Sequence, residues 1–213
     1  MADLVNALLV IVLVLNLFAL GTSRIIRVIR TVAVQGALLG LLPLLVHEHI
    51  TLSVIMVSAA AIALKGIAIP AIMIHALRDV RIKREVEPLI SLLTSIILGA
   101  LASAAALLFA GRLPLASQHA GTLLVPAAIA NVIVGFIFLT TRFKALSQVV
   151  GYLVVENGIF TFGMLLIEAM PLIVEMGVLL DLFVGIFVTC IIVNRINRAF
   201  SSTDTRLLVA LKG

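Results

Sequence analysis

The sequence predicts an all-α fold: a polytopic membrane helix bundle of about seven transmembrane helices, with its N-terminus outside and its C-terminus in the cytoplasm. Three observations lead there. Of 213 residues, 63% are hydrophobic and only 12% are charged, whereas a soluble domain is nearer half apolar and a quarter charged. A chain of this size has too little interior for so many Leu, Ile, Val and Ala, so the surplus faces lipid. The apolar residues also fall into runs that approach the ~20 residues a bilayer core asks of a helix, and none alternates as a barrel strand would. Finally, the basic residues occupy alternate gaps between runs, which sets the orientation.

The runs follow in order. Leu4–Leu20 has no basic segment before it and no small-residue cleavage site, so it reads as a retained helix rather than a removed leader. Val28–Val46 follows a gap holding Arg24 and Arg27, with Arg30 just inside the run, and contains Pro43. Leu52–Leu77 contains Pro70 and ends at the most charged stretch of the chain, Arg78–Glu87. Pro88 opens the fourth run, Leu89–Ala110, where a missing N–H costs little. The fifth, Leu123–Thr140, contains Pro126 and ends at Arg142 and Lys144. Val149–Ala169 and Leu172–Val193 are separated by the short turn at Pro171, and Arg195, Arg198, Arg206 and Lys212 form the tail. Pro43, Pro70 and Pro126 are candidate kinks. With seven spans, 13 of the 15 basic residues share one side, the cytoplasmic one. The remaining two are Arg112 on the other side and Lys65 within a span. Residues 1–113 form an N-terminal four-helix membrane region, and residues 114–213 a three-helix region with a cytoplasmic tail.

Several function classes fall away. The net charge of +5 would suit nucleic acid, but the basic residues sit in short gaps between membrane spans, so no nucleic acid partner is expected. The lone cysteine, Cys190, makes neither an internal disulfide nor a thiolate-held cluster. No Gly-rich phosphate loop, metal motif or nucleophile elbow is present, so no catalytic, cofactor-binding or metal residues are assigned. His47, Glu48 and His49 share an outer loop but lack a third nitrogen or sulfur ligand. A haem-binding membrane subunit needs paired axial ligands deep in its helices, and His75 is the only histidine within a run.

The informative residues are the ionisable ones inside the apolar runs, because a charge at a membrane helix centre costs roughly 2.5–3.5 kcal/mol on insertion scales. Lys65 lies near the middle of the third run, Glu156 in the sixth, Asp181 in the seventh, and His75 near the inner end of the third. At ~1.5 Å per residue, Glu156 is expected about 10 Å from the cytoplasmic end of its run, and Lys65 and Asp181 about 18 Å. Such groups face a bundle interior or a water-filled cavity and mark an ion or proton pathway. Lys65 is also a candidate ion-pair partner of Glu156 or Asp181. Glu156, Asp181, Lys65 and His75 are therefore the candidate proton-transfer residues. Glu168 and Glu175 flank the outer turn and can reach the headgroups.

The region from Arg142 to Arg195 resembles the K-type subunit of respiratory complex I and the equivalent C subunit of multisubunit cation/proton antiporters. Arg142 and Lys144 open a helix carrying Gly151 and Asn157, and the next helix carries Asp181 with Gly185 four residues later. Those residues carry the resemblance. The family's first glutamate commonly stands two residues after the Gly, where this sequence has Leu153; Glu156 lies about one turn further on. A K-like unit ending a chain of this length resembles component E of hydrogenase-4-type complexes. The resemblance implies a noncatalytic, cofactor-free subunit of a complex I-like [NiFe] hydrogenase in the inner (cytoplasmic) membrane. Its partners would be other membrane subunits, including antiporter-like ones, and Glu156 and Asp181 would contribute to proton translocation. A subunit of a cation/proton antiporter or respiratory dehydrogenase is the alternative, followed by a structural membrane anchor and, last, a small-solute transporter.

Overall fold

A computed structural model of the chain describes residues 2–47, 50–79, 89–113 and 121–166, and beyond them 176–177, 180, 183–191 and 194. The architecture is a polytopic helical bundle, with no strand among the described residues. Six of its helices are long and apolar enough to cross a membrane: Ala2–Gly21, Ile25–Val46, Leu52–Leu77, Leu92–Ala110, Leu124–Thr141 and Leu146–Leu166. Of the seventh expected run, residues 176–177, 180 and 183–191 are described, and 183–191 form a helix.

The first span is the unbroken helix α1 (Ala2–Gly21). The second divides into α2 (Ile25–Leu39) and the short α3 (Leu42–Val46). The break falls at Gly40, where a Cβ would lie 2.8 Å from Ile62 Cγ1, and Pro43 stands in the first turn of α3, where it is tolerated. The third span comprises α4 (Leu52–Ala61), a seven-residue π-helical segment (Ile62–Ala68) and α5 (Ile69–Asp79). Thr51 caps its start, the hydroxyl accepting from the Val54 N–H. Pro70 follows the π segment by two residues; its missing N–H and its ring disturb the preceding turn, and that turn absorbs the mismatch by widening. Helix α6 (Leu92–Ala110) is capped by Ser91, whose hydroxyl accepts from Thr94 N at 3.0 Å. Helices α7 (Leu124–Thr141) and α8 (Ala145–Gly163) follow, and Met164–Leu166 close with a 3-10 turn. Pro126 is not a kink: it occupies the first turn of α7.

Successive spans run antiparallel, and polar contacts staple both ends. At one end Asn6 Nδ2 donates to the Gly121 carbonyl (3.1 Å) and Leu123 N donates to Asn6 Oδ1 (2.9 Å). At the other, Leu89 N donates to the Thr141 carbonyl (2.8 Å). The closest pairing is α7 against α8. A Cβ at Gly151 would lie 2.8 Å from Phe138 Cβ and 2.9 Å from Leu139 N, and one at Gly158 would lie 2.8 Å from the Ala128 carbonyl. Glycine lets the two backbones approach here, as small residues do between membrane helices. Helix α6 is the least buried of the six spans, with an inward face of Ser95, Gly99, Ala102, Ala106 and Ala110.

Two apolar clusters fill the bundle, one toward each end. One includes Leu9, Val12, Leu39, Val57, Ala127 and Phe160; the other includes Ala19, Val32, Ile69, Val134 and Val154. Each of the five helical spans that contribute to both clusters changes from one to the other across a buried polar side chain: Asn16, Gln35, Lys65, Asn131, and Glu156 with Asn157. Among the described residues a polar layer thus lies between the two apolar clusters.

Candidate functional site

The polar layer has two parts. In the first, Lys65 Nζ lies 3.0 Å from Glu156 Oε1, their side chains 5% and 1% exposed. The ammonium also donates to Asn157 Oδ1 at 3.5 Å and sits 4.8 Å from the centre of the Phe160 ring, a cation–π contact that helps hold a desolvated cation. Local structure delivers each group. Lys65 is at the middle of the π segment, and its Cβ and backbone press on α2 where Gly36 leaves room: a Cβ there would lie 2.8 Å from Lys65 Cβ. Glu156 stands eleven residues into α8, about 16 Å from its start at 1.5 Å per residue. That is deeper than the 10 Å expected, because α8 begins at Ala145 rather than Val149. Ser147 and Gln148 look like loop residues in sequence, yet they form the helix's first turn. Glu156 is therefore level with Lys65. Opposite it, Gly185 of the 183–191 helix approaches the carboxylate closely.

The second part is an amide triad joining α1, α2 and α7. Asn16 Nδ2 donates to Asn131 Oδ1 (2.6 Å), and Gln35 Nε2 donates to both Asn16 Oδ1 (2.9 Å) and Asn131 Oδ1 (2.8 Å). Asn131 Nδ2 has no hydrogen-bond partner among the described residues. Sequence reasoning missed this triad, although its signal was present as three amides within otherwise apolar runs. The triad adjoins the ion pair: Gln35 precedes the Gly36 that meets Lys65, and Val132, next after Asn131, packs on the Gly158 that follows Asn157.

The other expected site residues are not gathered here. His75 is on α5, ten residues beyond Lys65, and exposed. Asp181, Glu168, Glu175, Glu48 and His49 lie outside the described residues. His47 donates through Nδ1 to the Pro43 carbonyl (2.9 Å) at the end of α3, and no metal-holding group of His, Cys, Asp or Glu occurs among the described residues. Arg142, expected as an ordinary loop cation, is 1% exposed. Its Nη2 donates to the Leu20 carbonyl (2.9 Å) and to Ser95 Oγ (3.4 Å), and its guanidinium lies 5.4 Å from the Phe138 ring centre. Burial pushes it below its ordinary pKa. The negative ends of α1 and α7, which both terminate beside it, provide compensating potential. An apolar groove of about 430 Å³ between α7 and α8, lined by residues such as Val132, Ile133, Ile159 and Phe162, contains none of the site residues.

Fold and site define a class: a multi-pass helical membrane protein whose buried chemistry is an ion pair and an amide triad on one level. The chain belongs to the same family as the uncharacterized protein Rv0085 of Mycobacterium tuberculosis, with which it is 32% identical over 190 residues, 87% of this chain and 85% of that protein. It is also distantly homologous to hydrogenase-4 component E of Escherichia coli K12 and of Shigella flexneri, 29% identical in each case over 161 residues, 73% of this chain and 72% of the relative. No family model matches the chain, and no solved structure matches it.

Proposed function

We propose that this chain is a noncatalytic membrane subunit of a complex I-like [NiFe] hydrogenase of the hydrogenase-4 type, in which Lys65 and Glu156, with Asp181, take part in proton translocation coupled to electron transfer elsewhere in the assembly. The observation that carries the reading is the Lys65–Glu156 pair, formed at 3.0 Å in the middle of the bundle from the two halves of the chain. Movement of a neighbouring charge changes how strongly a carboxylate and an ammonium this close hold one another, which is the coupling this reading needs. The π segment places the lysine where a regular helix would not, and such segments are frequent at functional sites. The distant homology to hydrogenase-4 component E supports a parent assembly of that kind. In this reading the partners are the other membrane subunits, including antiporter-like ones, the membrane is the inner (cytoplasmic) one, and the N-terminus is outside.

The structural-anchor reading has one observation in its favour: the pair is already closed, as an interhelical clasp would be. Isosteric substitution separates the two. Glu156→Gln and Asp181→Asn keep size but remove a titratable proton. Each is expected to leave the complex assembled and electron transfer to a soluble acceptor intact while lowering proton translocation in reconstituted vesicles, normalised to assembled complex. Full pumping by the double variant sinks the relay and leaves the anchor.

A further inference from the structure

The helix at residues 183–191 turns two buried residues inward, Gly185 and Thr189, while Phe183, Val184, Phe187 and Ile191 face outward. The inward face meets the site at one point. A Cβ built at Gly185 would lie 2.8 Å from Glu156 Oε2, 3.1 Å from Oε1 and 3.3 Å from Cδ. Real Cβ atoms do not approach so closely, so a side chain at this position forces a displacement. The atoms in the way are neither backbone nor a rigid ring; they are the far end of a glutamate side chain, which moves at little cost to the fold. The Thr189 hydroxyl occupies the Gly185 carbonyl at 2.8 Å, one turn on, and stays within its own helix. The space a side chain at Gly185 would fill is therefore taken by the Glu156 carboxylate, whose Oε1 is the atom that also meets the Lys65 ammonium.

We infer that Gly185 is a positioning residue for Glu156: its bare backbone seats the carboxylate against Lys65, and so ties the ion pair to the placement of the seventh helix. The inference rests on the proposed role of the pair and adds to it. Glycine is a poor helix former, and at this place the cost has a use, since any side chain there takes the carboxylate's space.

The test reads the pair without reading translocation. In native membrane vesicles carrying the full assembly, the rate at which a hydrophobic carbodiimide modifies Glu156 is followed by mass spectrometry of the isolated chain. Gly185→Ala is expected to raise that rate severalfold, toward the rate of Lys65→Leu, with chain abundance unchanged. Adding Glu156→Asp, whose shorter side chain vacates one methylene of space, returns the carboxyl's rate toward that of the wild type. An unchanged rate in Gly185→Ala beside a raised rate in Lys65→Leu overturns the inference. If Gly185→Ala fails to accumulate, recovery by Glu156→Asp supports the inference and absence of recovery overturns it. These outcomes are independent of whether Glu156→Gln still pumps, which decides the translocation reading alone.

Discussion

A lysine and a glutamate taken out of water together incur a desolvation cost that their attraction offsets only while both remain. For Lys65 and Glu156, 6% and 2% exposed, the consequence is asymmetric. Lys65→Leu alone leaves a buried carboxylate without its cation and is expected to destabilise the chain by about 3 kcal/mol, within the range for breaking buried pairs. Lys65→Leu with Glu156→Leu removes both charges and is expected to return stability close to the wild type. Thermal denaturation of the four members of this cycle in one detergent measures the coupling, and additive losses in the double variant would show that the pair does not interact. Both residues were legible in the sequence as charges interrupting apolar runs. Arg142 was not: a cation just past a helix end looks the same whether it faces water or folds back on Leu20 and Ser95. The amide triad was legible in kind but not in arrangement, because nothing local says that Asn16, Gln35 and Asn131, far apart in the chain, meet.

The elements show the same division. Apolar runs located the six described spans to within a few residues, since a lipid-facing helix must be apolar along its length. The ends were harder: the polar Ser147 and Gln148 concealed the first turn of α8. The π segment was invisible because a proline inside a run predicts a disturbance but not its form. Helix contacts also had to be seen before the glycines could be sorted. A methyl at Gly151 would meet the backbone nitrogen of Leu139 at 2.9 Å, whereas one at Gly111 would meet nothing closer than 3.7 Å. Gly151→Ala is therefore expected to separate α7 from α8 and cost about 1–3 kcal/mol, as overpacking does, whereas Gly111→Ala is nearly neutral. Comparing the melting temperatures of the two purified variants checks this contrast; equal melting temperatures would remove the case for close α7–α8 packing.

At the scale of the whole molecule, the distribution of basic residues makes a topological statement that antiparallel spans alone cannot make. The ends of α1, α5 and α7 that carry Arg24, Arg78 and Arg142 are expected to face the cytoplasm, and the end carrying His49 and Ser117 to face outside. Single-cysteine labelling in a Cys190→Ala background tests it: Ser202→Cys should be protected from an impermeant thiol reagent in intact cells and react after permeabilisation, and reaction from outside would reject the seven-span arrangement. Layering along the bundle axis was not legible in the sequence, because the runs carry polar residues at several positions and a common level emerges only once the helices are in register.

That layering also sets the permittivity in which the ion pair sits. On either side of the amides and the ion pair the buried side chains of the described helices are mainly Leu, Val, Ala and Ile, with Arg142 the buried cation toward one end, and apolar packing of that kind has the low permittivity that makes an unpaired charge expensive. The described helices hold a polar layer between two apolar clusters. Lys65 and Glu156 thus carry their charges at a depth where a change in either is felt strongly by whatever stands beside them.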